Sequence, residues 1–354
     1  MKAVISFLLL SFLITRSLSQ EPKKEQSEPR SLTDPEAVQA YEDTILKYLE
    51  DGQYDALEDQ FAEVQDRSVQ TQDGTPKIWA YFRAFDLPDK PLDEIKALVP
   101  KIRTWRDNRP NSVAALLALA NVLIRQAGKV RQLSSEEHLD LSDPKIKQTL
   151  QEPLVEAAKI ILSPNKPVPA IQLQPEFFTI AINLFGNLDD IPWSQVEDTV
   201  NRGVLLDPTY VPLYHAAFGW LATRPPEISS TLPKPVDWIT EILKVEPDDQ
   251  KDTADQKAKT YTQALAFRNQ RVIPLKVQQA DWTTLKRGLA LLVHSYPKST
   301  EWATRYLALA YTMRDLPATK DALDVLQGNY SPRVIGDPTF FQEASIWAQN
   351  PNHD

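Results

Sequence analysis

The 354-residue chain carries 48 acidic against 39 basic side chains, and its net charge of −9 opposes a nucleic-acid role, which needs a basic footprint. It has no cysteine, which excludes a disulfide scaffold, a thiolate metal site, a cysteine nucleophile and a lipid-modified cysteine anchor. Nine glycines against 28 prolines favour long helices with stiff corners over sheet, whose turns demand more glycine.

The chain opens with Met1-Lys2, the apolar run Ala3 to Ile14 (AVISFLLLSFLI) and the small residues of Ser17-Leu18-Ser19. That order of charge, grease and small residues predicts a secretory signal peptide over 1–19, cut near Ser19. The apolar run is short for a bilayer span, which takes about 20 residues. Cleavage removes Lys2 and Arg16, so the charge becomes −9 − 2 = −11. Export without cysteine suits a bacterial periplasm or exterior. QEPKKEQSEPRS follows, with no apolar residue and two prolines, so 20–32 reads as a disordered leader.

From residue 33 to 350 the pattern is that of one all-α, helical-repeat domain. Thr33 or Asp34 can cap a first helix, with Pro35 and Glu36 suited to its first turn. Tyr41, Ile45, Tyr48 and Leu49 recur at helical spacing, and Gly52 supplies a left-handed stop. Tyr54, Leu57, Phe61 and Val64 then paint one face of a second helix. Two such helices joined by a short turn lie antiparallel, and each keeps an apolar face that wants further neighbours. Helical periodicity recurs at 76–86, 91–107, 111–131, 144–163, 175–186, 193–206, 209–223, 235–245, 254–269, 281–295, 299–313 and 317–327. No run alternates with period two for long enough to make a strand.

Several corners centre on a proline: DNRPNS, LLDPTY, KVEPDD and HSYPKS. Counting six, nine, ten and thirteen places from Pro110 reaches Leu116, Leu119, Ala120 and Leu123. From Pro208 the same places are Tyr214, Ala217, Phe218 and Leu221, and from Pro297 they are Ala303, Tyr306, Leu307 and Ala310. All twelve are apolar or aromatic, so these helices share a core register. Pro247 fails the same test, giving Thr253, Gln256, Lys257 and Thr260.

DGQYDALEDQF resembles the turn and second helix of a tetratricopeptide repeat. SVAALLALANVLIRQAG, LLDPTYVPLYHAAFGWLA and DWTTLKRGLALLVHSYPKS, with a terminal FFQEASIWA, are more similar to a bacterial helical-repeat family known only as a domain of unknown function. The resemblance implies a right-handed solenoid of antiparallel helix pairs and no chemistry. The spacings 208 − 110 = 98 and 297 − 208 = 89 are not multiples of 34, which predicts irregular units with insertions near 131–144 and 163–174.

Residues that could carry chemistry are sparse. His138, His215, His294 and His353 show no metal-ligand spacing, and no nucleophile elbow, phosphate loop or dinucleotide fingerprint occurs. The acidic loop of Glu246, Asp248, Asp249, Asp252 and Asp255 lacks the central glycine and closing glutamate of a calcium loop. The eight tryptophans read as core packing, with an aromatic sugar platform as the sharper alternative. No cofactor, metal or catalytic residue is expected. The reading is a non-enzymatic peptide- or protein-binding scaffold. Its alternative is a polysaccharide-acting enzyme whose carboxylate pair meets only in a closed α/α toroid.

The helix face beside the core stripe supplies the candidate groove. It holds Asn121 and Arg125 after Pro110, with Leu117 and Ile124 beside them. It also holds His215 after Pro208, and Thr304, Tyr311 and Thr312 after Pro297. Asn121 and Arg125 lie one turn apart and offer an amide and a guanidinium to an acidic or C-terminal peptide segment.

Overall fold

Corner residues decide where this chain becomes helical. Asp143, Asp281, Ser299, Asp315 and Asp337 each accept a backbone N–H of the turn they precede, at 2.8, 3.0, 3.5, 3.1 and 2.9 Å respectively. Each satisfies a donor that the helix itself cannot. Gly52 takes φ +67°, the left-handed conformation that ends the first helix and turns the chain back on itself.

The computed structural model describes residues 35–350 apart from 67–68, 71–75, 88–89, 137–142, 164–168, 189–190, 225–228, 247–248, 267–279, 333 and 336. Within these the protein is all-helical. The first helices are α1 (Pro35–Glu50), α2 (Tyr54–Val64), α3 (Lys77–Arg83), α4 (Leu92–Asn108) and α5 (Val113–Glu136). Then come α6 (Pro144–Ile161), α7 (Pro175–Phe185), α8 (Trp193–Leu206), α9 (Val211–Ala222) and α10 (Pro235–Ile242). The last are α11 (Lys251–Ala266), α12 (Trp282–Ser295), α13 (Thr300–Thr312), α14 (Leu316–Leu326) and α15 (Pro338–Gln349). Among the described residues the one β-type pairing is an isolated bridge between Gln70 and Pro76.

Each helix packs chiefly on its neighbours in the chain. α4 lies on α5, α5 on α6, α7 on α8, α11 on α12, α12 on α13, and α13 on α14. A second set of contacts skips one helix and links α1 to α3, α5 to α7, α7 to α9 and α9 to α11. Odd-numbered helices therefore touch across the even ones from α1 to α3 and from α5 to α11. One apolar core runs from Ile45 to Ala344. Two contacts join residues far apart in the chain. Trp79 meets Tyr210 edge to face at 6.0 Å between ring centroids, and the Tyr296 hydroxyl donates to Gln70 Oε1 at 2.9 Å.

The twelve positions counted from Pro110, Pro208 and Pro297 are all buried. Pro247 departs from the register for a local reason. The other three helices begin three places after their prolines (113 − 110, 211 − 208 and 300 − 297), whereas α11 begins four places after (251 − 247). Its buried face includes Ala254, Ala258 and Tyr261, one place later than the count, although Thr260 of the count itself is buried too. Other boundaries also moved. α5 runs five residues past the expected 131, to Glu136, and residues 169–173 form a 3₁₀ turn within the expected insertion. α15, at FFQEASIWA, lies beyond the last expected helix.

The signal segment, the leader and the Thr33/Asp34 cap lie outside the described residues, as do His138, Asp248 and His353. By length and composition α5 could cross a membrane, but 72% of that stretch is buried inside the protein.

Candidate functional site

α7 reads PEFFTIAINLF, an apolar helix interrupted by Glu176, Thr179 and Asn183. Spacings of three and four put those three on one face. They line a cavity of about 290 Å³ that odd-numbered helices build together. α3 and the turn after it contribute Trp79, Phe82, Arg83 and Asp86; α5 contributes Asn121 and Arg125; α9 contributes Pro212, His215 and Ala216. Val38 of α1 and Tyr210, which precedes α9, complete the wall.

Both guanidinium groups at this cavity are paired with carboxylates of the protein. Arg125 Nε donates to Asp86 Oδ1 at 2.7 Å, and a terminal nitrogen of the same guanidinium stands 2.5 Å from that oxygen as an ion pair. Asn121 Nδ2 donates to the same oxygen at 3.4 Å. Arg83 Nε donates to Glu42 Oε1 of α1 at 2.5 Å. Burial pushes the Glu42 carboxyl above its usual range, although the adjacent Arg83 guanidinium pulls the other way. Glu176 is nearly sealed from solvent, at 1% exposure. His215 Nε2 stands 3.0 Å from the Ala264 carbonyl oxygen, which can only accept, so this nitrogen carries the proton. That bond ties α9 to α11.

Neutral groups supply the unused hydrogen-bonding capacity. The Asn183 side chain makes no hydrogen bond among the described residues, and the Oδ1 of Asn121 has none either. Thr179 is the odd member of its class. Thr44, Thr104, Thr149, Thr199, Thr240, Thr304, Thr312 and Thr319 all donate to the carbonyl four residues back, at 2.6–2.9 Å. The Thr179 hydroxyl is buried without a hydrogen-bond partner, while the residue as a whole stays half-buried in the cavity wall. A buried hydroxyl left unpaired costs roughly 1–3 kcal/mol, so it is a feature to be explained.

Three of the five groove candidates, Asn121, Arg125 and His215, therefore line one cavity. Arg125 does so with its guanidinium already on Asp86, which corrects the expectation that it stands ready for an incoming carboxylate. Thr304 and Tyr311 lie elsewhere. Thr304 is 0% exposed, and its hydroxyl donates to Thr300 O and accepts from Ser331 N. Tyr311 packs edge to face on Phe340 and Trp347 of α15, with ring centroids 5.2 and 5.5 Å away. Thr312 bonds back to Ala308. The face that lines the cavity on α5 and α9 is covered on α13 by the segment around Ser331 and by α15. Leu117 and Ile124 are core residues as well.

Sequence reading missed Trp79, Asp86, Thr179 and Asn183, because α3 and α7 do not follow corners of the Pro110 type. Polar residues at three- and four-residue spacing in PEFFTIAINLF were the signal available for α7.

The acidic loop is tied into local ion pairs. Asp249 meets Lys257 at 2.7 Å and Asp255 meets Arg287 at 2.6 Å. Among the described residues no three His, Asp or Glu side chains converge as metal ligands would. The tryptophans pack inward: Trp105 is fully buried, and Trp193 stands 5.7 Å from both Trp220 and Trp238. No protein-family model, curated protein or solved structure matches the chain.

Proposed function

We propose that this is an exported bacterial helical-repeat protein, a tetratricopeptide-like solenoid that binds a peptide segment of a partner protein without catalysing a reaction. The observation that carries the reading is the convergence of α1, α3, α5, α7 and α9 on one cavity whose neutral polar groups retain unused hydrogen-bonding capacity. In a right-handed stack of helix pairs, alternate helices line the inner face, where a long partner can lie. The skipping contacts among odd-numbered helices support that geometry. Apolar walls with a few placed polar groups suit recognition.

Cross-linking in envelope extract from the native host tests the reading, with Ala216→Trp as the cavity-filled control. A partner captured by the wild-type chain and lost with Ala216→Trp is the expected result. Capture of the same set by both forms would overturn it.

The alternative, polysaccharide hydrolysis by a carboxylate pair, draws on Asp86 and Glu176, the two carboxylates that line the cavity. Asp86 serves there as the acceptor for Arg125 and Asn121. Release of reducing ends from envelope polysaccharide by the wild type, and not by Glu176→Gln, would decide for the enzyme.

A further inference from the structure

Resting on the reading of the cavity as a peptide site, we infer that the group it receives is an uncharged carboxamide, the side chain of a glutamine or asparagine, and not a carboxylate or an ammonium.

The charges argue first. Each guanidinium at the cavity already carries a carboxylate, Arg125 that of Asp86 and Arg83 that of Glu42. An incoming carboxylate must displace one of these and leave it half-buried without its cation, a loss that offsets the new pairing. The chain's net charge of −9 adds a general repulsion. An incoming ammonium meets the opposite obstacle. The Asp86 carboxylate it could pair with already holds Arg125 and Asn121, Glu42 holds Arg83, and the remaining carboxylate of the wall, Glu176, is only 1% exposed.

The neutral groups argue next. Asn121 is 5% exposed and has its Nδ2 on Asp86, which leaves Oδ1 as a fixed acceptor. Asn183, one turn along α7 from Thr179, offers both a donor and an acceptor. Thr179 adds a hydroxyl by one χ1 step, which exchanges it with its methyl; threonine in a helix populates two such rotamers. A carboxamide presents two N–H donors and one carbonyl, the complement of this set. Trp79, Phe82 and Ile180 supply apolar wall for its methylenes, and about 290 Å³ is room for one such side chain with its backbone at the mouth.

A displayed random-peptide library selected on the protein purified from its native host tests this, with every enriched peptide measured again on Ala216→Trp. The expected outcome is peptides that depend on the open cavity and share one glutamine or asparagine. Changing that residue to glutamate or lysine should weaken binding by at least about tenfold, the worth of one well-placed hydrogen bond. Thr179→Val distinguishes a site from mere structure. It should weaken binding of the glutamine peptide several-fold while leaving the melting temperature equal or higher, since the unpaired hydroxyl is gone. Cavity-dependent peptides anchored by aspartate, glutamate, lysine or a free C-terminus would overturn the carboxamide and keep the peptide reading. Cavity-dependent carboxamide peptides that bind Thr179→Val as tightly as wild type would remove Thr179 from the site and overturn the geometry argued here. A library with no peptide sensitive to Ala216→Trp would overturn both readings.

Discussion

Gly288 of α12 lies so close to Ala258 of α11 that a Cβ on the glycine would stand 2.1 Å from the Ala258 carbonyl oxygen. It would also stand 2.1 Å from the Oγ1 of Thr262, itself fully buried and bonded to Leu285 O at 3.3 Å. Neither neighbour is the free end of a long side chain, so the two helices must move apart to admit a methyl group. Alanine is the better helix former by about 1 kcal/mol, whereas overpacking of a tight core costs roughly 1–3 kcal/mol. Gly288→Ala should therefore lower stability by a net amount of up to about 2 kcal/mol. Urea unfolding measures it, and a midpoint at or above wild type would mean that α11 and α12 separate without cost.

Asp315 joins two helices through one carboxylate. It caps α14 through Ala318 N at 3.1 Å and accepts from Trp282 Nε1 at 3.0 Å and Lys286 Nζ at 2.8 Å, both on α12. Burial works to raise its pKa, but the hydrogen bonds from Lys286, Ala318 N and Trp282 outweigh it, so the group titrates below its usual range. A depressed carboxylate stabilises the fold fully above its unfolded pKa and loses that contribution as pH falls through the folded one. Asn still caps a helix but cannot pair with Lys286. The stability gap between wild type and Asp315→Asn should be constant above roughly pH 5 and close as pH falls below about 4. Thermal melts across that range test it, and a gap that widens in acid would reverse the sign argued here.

Periodicity made the helices legible, and the fixed distance between proline and helix made their core register legible. Leu119, Ala217 and Leu307 are buried because three corners launch their helices after the same number of residues. A corner one residue longer hid the register of α11. The cavity was half legible for the same reason. Asn121, Arg125 and His215 share a helix face and one cavity, whereas Thr304, which holds the same place after Pro297 as His215 after Pro208, lies under another part of the chain. Asp86, which pairs with Arg125, comes from a turn after α3 with no register to count from. Its role depends on packing between helices 35 or more residues apart in sequence, and spacing along one helix carries no such information.

Export is checked on the intact protein. The mass of the chain from its native host should correspond to a start close to Gln20, since the small residues before it suit a signal peptidase. A mass that retains Met1 to Ser19 would place the protein outside the proposed route and deprive the envelope partner of its compartment.

The pair of Asp86 and Arg125 yields the sharpest test of what the cavity selects. Their side chains are 30% and 37% exposed, so the ion pair is neither buried nor free. A double-mutant cycle on Asp86→Ala and Arg125→Ala should give a coupling of about 0.5–1 kcal/mol, smaller at high salt. Binding should respond differently from stability. Asp86→Ala leaves the Arg125 guanidinium without its carboxylate and facing the cavity, where a bidentate partner is the strongest replacement. A peptide with glutamate at the anchor should then gain affinity relative to its glutamine counterpart, reversing the wild-type preference. Arg125→Ala should not show that reversal, because it leaves Asp86 as the charge beside the ligand. Titration calorimetry with the two peptides against the two variants separates the cases. If Asp86→Ala keeps the glutamine preference unchanged, Asp86 does not set the selectivity of the cavity, and the pairing of Arg125 is structural only.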